Sequence, residues 1–174
     1  SLENAETTDE QIRPHLTLEG APAEALGDVA RGAEALAFTR DRSLLGLCAM
    51  QVGVAERALQ ITARYVTERK QFDRPVGSFQ AVQHHLVDAV LKLRFATPAV
   101  HHAAWSLEHA HPDASIHASI AKIHASEAAV LAGRKALQVH GAIGYTTEHH
   151  LHLFLKRAWS LARAWGDPGW HLRR

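Results

Sequence analysis

Apolar positions along this chain recur every three or four residues over four long stretches, the spacing of a helix with one buried face. A short helix from Gly32 to about Thr39 is predicted ahead of the first long helix, which runs from about Asp41 to Lys70. The apolar stripe of that long helix consists of Leu44, Cys48, Val52, Ala55, Leu59, Thr62 and Val66. Gly46 and Gly53 lower its helix propensity, and we interpret them as positions where a neighbouring helix approaches closely.

The second long helix is predicted to begin at Ser78, a good N-cap residue. Its apolar stripe consists of Phe79, Val82, Leu86, Ala89 and Leu93. Pro98 is expected to kink or divide this helix, because proline removes a backbone donor and crowds the preceding turn. The helical pattern resumes as far as His109.

The third and fourth helices follow the same spacing. The third runs from about Ala114 to Val139, with Asp113 as its expected N-cap. One of its faces carries Ile116, Ile120, Ile123, Val130 and Leu137. The fourth runs from Glu148 to about Trp165, with Thr147 as its expected cap, and a short basic tail follows Gly169. Its inner face consists of Leu151, Phe154, Leu155, Ala158, Leu161, Ala162 and Trp165. Four long helices with short connections predict an all-α, antiparallel four-helix bundle.

The first 27 residues lack this period. Residues 1–14 are polar and are expected to form a loose lead-in, and residues 15–20 alternate like a short strand. A lone strand is not stable by itself, so it is expected to need a partner that this chain supplies poorly. The sequence therefore divides into a lead-in, residues 1–27, and a helical bundle domain, residues 28–174.

Composition excludes several classes of protein. The 174 residues include 19 basic and 18 acidic side chains, a net charge of +1 without a basic block, which argues against a nucleic-acid partner. Cys48 is the only cysteine, is expected to be buried, and fits a reducing cytoplasm. The polar N-terminus is unlike a signal peptide, and the apolar run around Cys48 is broken by Gln51, so no membrane partner is expected.

Histidine is abundant, with 14 residues, several of them in adjacent pairs. A di-iron bundle needs Glu-x-x-His on two helices, and the zinc motif is His-Glu-x-x-His. The sequence offers neither arrangement, so we expect scattered, solvated histidines and no metal.

The connection between the first two helices concentrates cations and aromatic rings. Arg69, Lys70 and Arg74 lie beside Phe72 and Phe79. One interpretation is structural: cations in the last helical turn complement its free carbonyls, and the two phenylalanines are core. The other is a corner that binds an anionic cofactor, where a guanidinium holds a phosphate and a ring covers a planar group.

The motif at this corner, Tyr65-x-x-x-Arg69-x-Gln71-Phe72-x-x-Pro75-x-Gly77-x-Phe79-Gln80, resembles a signature of the acyl-CoA dehydrogenase family. We expect Pro75 to preset its φ, and Gly77 to take angles closed to other residues. A second matching string comprises Ala121-Lys122-Ile123, Ala125-Ser126-Glu127 and the run from Gln138 to Tyr145. The resemblance extends from about Asp28 to Asp167 and covers the family's C-terminal helical domain. It implies that residues 1–27 are the remnant of a β-domain.

The resemblance also implies a cofactor and a set of residues that bind it. Family members oxidise the α,β carbon–carbon bond of an acyl-CoA thioester with FAD, which straddles two subunits. Arg69 matches the arginine on the pyrophosphate, Phe72 the aromatic ring beside the cofactor, and Gln138 the residue near the adenine. The other matching positions are Gln71, Gln80, Gly141, Ala142 and Gly144, with Ala142 standing where the family often has glycine.

The family's catalytic base has no matching carboxylate in this chain. Its Tyr-Glu-Gly-Thr motif falls on residues 164–167, which puts Trp165 at the glutamate, and an indole cannot accept a proton. Some members place the base near the start of the first long helix, where this chain has Ser43 and Leu44. The nearest carboxylates, Asp41 and Asp167, are each two residues away, and they are the only candidates for catalysis.

Taken together, the resemblance implies an FAD-supporting, non-catalytic subunit of a heteromeric acyl-CoA dehydrogenase, similar to those of bacterial steroid side-chain breakdown. A partner subunit would supply the base and bind most of the acyl-CoA substrate, in a tetramer of two different chains (α2β2). The chain is then a fragment, or the ordered remnant, of a longer subunit. Two alternatives stay open: an active dehydrogenase that uses Asp41 or Asp167, and a helical scaffold without flavin.

Overall fold

The computed structural model describes residues 1–174 and confirms the antiparallel four-helix bundle. Five helices are present: α1 (Gly32–Glu68), α2 (Gln80–Glu108), α3 (Ala114–His140), α4 (Leu151–Arg163) and α5 (Pro168–Arg173). Short 3₁₀ turns cover Val29–Arg31, Val76–Ser78 and Gly141–Tyr145. Four two-residue strands complete the chain: β1 (Leu2–Glu3), β2 (His15–Leu16), β3 (Lys70–Gln71) and β4 (Arg74–Pro75).

Helix α3 is the centre of the bundle and packs against all four other helices. Seven of its twelve buried residues are alanine: Ala118, Ala121, Ala125, Ala128, Ala129, Ala132 and Ala136. The expected isoleucine face is only partly inward, because Ile116 and Ile120 are exposed. Because these side chains are small, the axes of the neighbouring helices can lie close to α3.

Glycine permits close helix approach at a different position from those predicted. A Cβ atom added to Gly46 or Gly53 would meet nothing within 4 Å, so that interpretation is wrong. A Cβ on Gly133 of α3 would lie 2.8 Å from Cδ1 of Leu155 on α4. Gly133 is therefore the residue that allows α3 and α4 to touch.

Several predicted helix boundaries differ from the structure. Helix α1 is continuous from Gly32, and α2 passes through Pro98 without being divided. The Ser78 hydroxyl donates to the carbonyl of Pro75 and does not cap α2. Neither Asp113 nor Thr147 caps a helix with its side chain, and α4 begins later, at Leu151. At Ser78 the capping signal was outweighed by a turn that engages the same hydroxyl.

The C-terminal end of α4 also differs from the prediction. The helix stops at Arg163, which leaves Trp165 outside it and 52% exposed, although the rest of the predicted inner face is buried or half-buried. The expected basic tail is helix α5, which Asp167 caps by accepting a hydrogen bond from the Trp170 amide at 2.8 Å. The buried His171 fixes this helix against α3.

The lead-in is attached to the bundle and is not loose. Leu2 pairs with Leu16, so the predicted strand finds its partner within the chain. The carboxylate of Asp9, whose side chain is almost fully buried, accepts a hydrogen bond from Arg157 of α4 at 2.6 Å. Burial pushes the pKa of Asp9 upward, but hydrogen bonds from Thr7, Arg157 and Ser160 outweigh it and hold the pKa at about 2.

One stretch of the chain, Val29–Glu68, is long and apolar enough in composition to cross a bilayer, contrary to the prediction from the run around Cys48. Its inward side nevertheless carries the polar residues Asp41, Gln51 and Thr62 at buried positions. Cys48 is buried beside them, as predicted. These contacts make α1 a core helix of the bundle.

A buried ammonium group ties α3 to the end of α4. The Nζ atom of Lys122 donates to the carbonyls of Leu161 and Ala162, at 2.9 and 3.2 Å, and to the hydroxyl of Ser126 at 3.1 Å. The same hydroxyl accepts a hydrogen bond from the Gln51 side chain at 3.0 Å. Burial lowers the pKa of Lys122 to about 8. The terminal carbonyls of a helix carry partial negative charge and stabilise this cation.

Candidate functional site

The connection between α1 and α2 is a tight hairpin. Strand β3 pairs antiparallel with β4, and Phe72 and Asp73 form the two-residue turn between them. Both residues adopt left-handed backbone angles, with φ of 53° and 60°. A two-residue hairpin of this kind requires positive φ at both central positions, which favours glycine or asparagine. The turn therefore keeps a phenylalanine at a position where its backbone is strained.

The aromatic ring at this turn faces solvent. Phe72 is 87% exposed, so it is not the core residue that the structural interpretation required. Its ring meets the half-buried ring of Phe79 edge to face, with centroids 6.2 Å apart. The guanidinium of Arg74 lies over the other ring of this pair, 4.0 Å from the Phe79 centroid. The corner thus presents a fixed, accessible ring beside a cation.

Arg69 lies between α1 and the hairpin. Its amide donates to the carbonyl of Tyr65, and its own carbonyl accepts from the amide of Val76, so its backbone is held on both sides. The guanidinium is exposed and makes no hydrogen bond or ion pair within the chain. All five of its N–H donors are therefore available to a ligand.

Gly77 is needed for packing and not for its backbone angles. A Cβ atom at this position would lie 3.1 Å from Cγ2 and from the carbonyl oxygen of Val66, while φ is not positive. The side chain of Gln83 donates to the Gly77 carbonyl at 2.9 Å. The hairpin is thereby anchored to the last turn of α1 and the first turn of α2.

The second motif forms the end of α3. Helix α3 stops at Gly141, whose φ of 65° and ψ of −140° are open only to glycine. Gly144 is buried, and a Cβ there would lie 3.0 Å from Leu137 and 3.1 Å from His140. Glycine is therefore needed at this position for packing within the chain. Gln138 and Ala142 are exposed on the same segment.

The contact between Tyr65 and His140 brings the two motifs together. Their rings stack with centroids 4.2 Å apart, and His149 lies 4.6 Å from His140. Nδ1 of His140 donates to the carbonyl of Ala136 at 2.8 Å, and Nε2 has no hydrogen-bond partner in the chain. Burial lowers the pKa of His140, which favours the neutral form of this imidazole. The sequence placed both residues in the motifs but did not reveal that they touch.

The predicted cofactor residues therefore lie at one end of the bundle, where α1 and α3 end and α2 and α4 begin. The polar and aromatic side chains among them, Arg69, Gln71, Phe72, Gln80 and Gln138, are all exposed. Glu68 is paired with Arg64 at 2.7 Å, which leaves Asp73 as the one unpaired carboxylate among the cations of the hairpin. This end can accept an anionic ligand that carries a flat ring.

The two candidate catalytic carboxylates lie at the opposite end. Asp41 and Glu68 are 27 residues apart along α1, which corresponds to about 40 Å at 1.5 Å per residue. Asp41 accepts hydrogen bonds from Arg40 at 3.0 Å and Arg174 at 2.7 Å. Burial raises its pKa, but hydrogen bonds from Arg40, Arg174 and Ser115 outweigh burial and leave the pKa below the ordinary value. This carboxylate is a fixed anion in an ion pair.

A wide cleft of about 1400 Å³ opens between the lead-in and helices α2, α3 and α4. Its charged walls include the ion pair of Lys92 with Glu127 at 2.6 Å, so this glutamate is exposed and paired. Asp167 stands at its rim as the cap of α5. The lining is mixed in charge and only partly apolar.

The histidines are less scattered than predicted. His102, His109, His111 and His117 gather around Trp105 where α2 meets α3, with the rings of His102 and His117 4.4 Å apart. Nowhere do three or more His, Cys, Asp or Glu side chains converge in a geometry that could hold a metal ion.

The sequence profile of the domain described as acyl-CoA dehydrogenase, C-terminal domain, matches residues 31–168. Acyl-CoA dehydrogenase IpdE2 of Mycobacterium tuberculosis is 39% identical over 134 residues, 77% of this chain and 40% of that protein. Probable acyl-CoA dehydrogenase YngJ of Bacillus subtilis is 38% identical over 136 residues, 78% of this chain and 36% of that protein. The chain thus spans about two fifths of the length of these relatives.

Solved structures give a close match over the whole chain. A variant of the Tcur3481-Tcur3483 steroid ACAD superposes with a TM-score of 0.93 and 34% identity, over 100% of this chain and 46% of the other. The ChsE4-ChsE5 complex from Mycobacterium tuberculosis superposes with a TM-score of 0.91 and 34% identity, and the match covers 100% of this chain and 47% of the other. Another neighbour, at 30% identity and a TM-score of 0.79, is an FAD-dependent dehydrogenase; it matches 85% of this chain and 40% of its own.

Proposed function

This chain belongs to the acyl-CoA dehydrogenase family as its C-terminal helical domain, and on that premise we propose that it supports FAD without supplying the catalytic base. It acts in a heteromeric enzyme that introduces an α,β double bond into an acyl-CoA thioester, with a steroid side-chain thioester as the preferred class. The partner subunit supplies the base and binds most of the substrate. Both named structural neighbours are pairs of chains, and one is called a steroid ACAD, which supports this assembly.

The observation that carries the proposal is the separation of about 40 Å between the Arg69 end and the Asp41 end of α1. A catalytic carboxylate must lie within hydrogen-bond reach of the proton that it removes. One chain therefore cannot bring its own cofactor corner and its own candidate bases, Asp41 and Asp167, to one reacting centre. Each end is expected to serve a site that is completed by another chain.

The Arg69 corner fits the cofactor chemically. FAD, when bound, supplies the hydride acceptor for the substrate β-carbon. The free guanidinium of Arg69 can hold a phosphate through two parallel hydrogen bonds. The exposed ring of Phe72 can cover a planar group, and it contacts the ring of Phe79, over which the Arg74 guanidinium lies. Gln71, Gln80 and Gln138 add amide donors and acceptors around the same end.

The state of Asp41 argues against the alternative of an active dehydrogenase in this chain. An anion that accepts hydrogen bonds from two arginines is a weak base, because its pKa lies below the ordinary range. Asp167 already accepts the hydrogen bond that caps α5. We extend the proposal to the lead-in: residues 1–27 are the end of a β-domain that the longer subunit would contain.

An absorbance spectrum of the purified chain, alone and co-expressed with a dehydrogenase-like partner, tests the proposal. We expect flavin bands only in the complex. Flavin in the chain alone would overturn the heteromeric assignment, and Asp41 and Asp167 would again be candidates for the catalytic base. A complex that forms without flavin would favour a helical scaffold instead.

A further inference from the structure

His171 lies at the end of the bundle opposite the cofactor corner and is 3% exposed. Its Nε2 atom is 3.2 Å from the carbonyl oxygen of Trp165, and its Nδ1 atom is 3.2 Å from the hydroxyl of Ser119 on α3. The same hydroxyl accepts a hydrogen bond from Arg174 at 3.2 Å. The imidazole thus joins α3 to the turn between α4 and α5.

The partners of His171 determine which ring nitrogen carries the proton. A carbonyl oxygen can only accept, so Nε2 must bear the hydrogen that points to Trp165. The neutral ring then has an unprotonated Nδ1, which must accept from the Ser119 hydroxyl. That hydroxyl is free to donate because Arg174 donates to its oxygen. Every hydrogen bond runs in one direction, from Arg174 through Ser119 and His171 to Trp165.

The turn that receives this hydrogen bond is strained and tightly covered. Trp165 and Gly166 both have left-handed backbone angles, with φ of 59° and 101°. A Cβ atom on Gly166 would lie 2.7 Å from the ring of Trp170 and 3.1 Å from Nε2 of His171. The residues on either side of this turn, Ala164 and Asp167, line the wide cleft. The shape of this cleft wall therefore depends on the turn.

We propose that His171 is the positioning residue of the α4–α5 turn, that it works as the neutral Nε2–H tautomer, and that a positive charge on the buried ring loosens its packing against α3. An added proton on Nδ1 would point at the Ser119 hydroxyl and displace the hydrogen that now lies between them. The Ser119 oxygen would then accept from both Nδ1 and Arg174, and the Nε2–H bond to Trp165 would persist, but the buried ring would carry a positive charge close to the cations Arg174 and Lys122. The wall of the cleft would change with pH.

The charges that face His171 favour its neutral form. Burial is the main cause that lowers its pKa, and the cations Lys122 of α3 and Arg174 at the end of α5 add to it. The hydrogen bond to the Trp165 carbonyl and the carboxylate of Asp167 oppose them, while Asp41 of α1 is already paired with Arg174. A histidine whose folded pKa is lowered contributes stability above its unfolded pKa of about 6.5 and loses it as the pH falls below that value. The turn is thus fixed near neutral pH.

Nuclear magnetic resonance of the full chain, with ¹⁵N-labelled histidine rings and labelled Gly166, tests this proposal. We expect the Nε2–H tautomer for His171 at about pH 8, above the ordinary histidine pKa of about 6.5. The Gly166 amide signal should shift on acidification with the same midpoint as the imidazole. An Nδ1–H tautomer, or a Gly166 signal that ignores the titration, would overturn the proposal.

Three variants separate positioning from general packing. His171→Gln keeps a donor near the Nε2 position without titrating, so Gly166 should hold its neutral-pH signal throughout the titration. His171→Leu removes the donor and should displace that signal at every pH. If that variant does not fold, Ser119→Ala serves instead: the Trp165 carbonyl still selects the Nε2–H tautomer, so the midpoints of the imidazole and of Gly166 should move together when the hydroxyl is lost. The exposed His101→Gln is the matched control and should change nothing.

Discussion

Tyr65 and His140 stack with ring centroids 4.2 Å apart, and this contact joins the last turn of α1 to the last residue of α3. Tyr65→Ala should therefore loosen both motifs at once. We expect a loss of about 3 kcal/mol in the free energy of unfolding, the usual cost of removing a large packed ring. Denaturant titration measures it. Tyr65→Phe keeps the ring and loses only the 3.4 Å contact of the hydroxyl with the His140 carbonyl, so a change above about 1 kcal/mol would contradict this account.

Arg69→Ala should weaken flavin retention in the co-purified complex by about 10- to 100-fold, since a charged hydrogen bond contributes about 1.5–3 kcal/mol. The unfolding free energy should change little, because the side chain has no partner within the chain. Flavin absorbance per complex, followed during dilution, measures retention. Arg64→Ala is the matched control, an exposed arginine one turn earlier that pairs only with Glu68. Equal flavin content in both variants would exclude a role for Arg69.

Phe72→Gly separates folding from binding at the hairpin turn. Glycine relieves the left-handed backbone angle, so the fold should gain about 1 kcal/mol, while loss of the ring lowers flavin retention. Asp73→Gly is the control: φ there is 60°, and the same gain is expected with flavin retained. Thermal unfolding and flavin absorbance of the two complexes check both quantities. A destabilised Phe72→Gly chain would mean that the ring is part of the core.

Lys122→Met should destabilise the bundle by about 2 kcal/mol, because the carbonyls that end α4 lose their buried donor. The difference from the natural chain should depend on pH. The pKa of Lys122 is lowered to about 8 in the folded state, so below about pH 8 the buried charge opposes folding. As the pH rises from there toward the pKa of an unfolded lysine, the buried amine loses its charge and this cost disappears. The advantage of the natural chain should therefore grow between about pH 8 and pH 10. Denaturant titrations at both ends of this range test it, with exposed Lys70→Met as control.

Gly53→Ala and Gly133→Ala should have opposite effects. The first adds a methyl group into open space within α1 and should stabilise the chain by up to about 1 kcal/mol. The second places a Cβ atom 2.8 Å from Leu155 and should cost about 1 kcal/mol or more, because overpacking exceeds the gain in helix propensity. Thermal unfolding of both variants is sufficient. Two changes of the same sign would contradict the close approach of α3 and α4 at Gly133.

The sequence was sufficient for the bundle because α1 keeps one uninterrupted period from Leu44 to Val66, and its buried face follows that stripe closely. The dense motif of Arg69, Phe72 and Gly77 also predicted a corner at this connection, and the structure places these residues together there. The sequence did not identify the face of α3 that is buried, because alanine carries little hydrophobic contrast and the isoleucines dominated the pattern.

The remaining differences come from contacts between residues that are far apart in the chain. Asp9 attaches the lead-in through Arg157, 148 positions away, which no local period reveals. The burial of Lys122 depends on the carbonyls of α4, and the order of α5 depends on Ser119 and His171. Polar partners across helices decide these features, whereas periodicity reports only the apolar face of each helix.

The continuous helix α1 connects the Asp41–Arg174 end of the bundle rigidly to the Arg69 hairpin at the other end. The helix runs without interruption from Gly32 to Glu68, so a rigid tilt at the Asp41–Arg174 end would also move the Arg69 hairpin. Under the proposed function, each end belongs to a different composite site. A partner that binds at one end would then change the affinity for cofactor at the other end. Two sites in one complex would be coupled through this single helix.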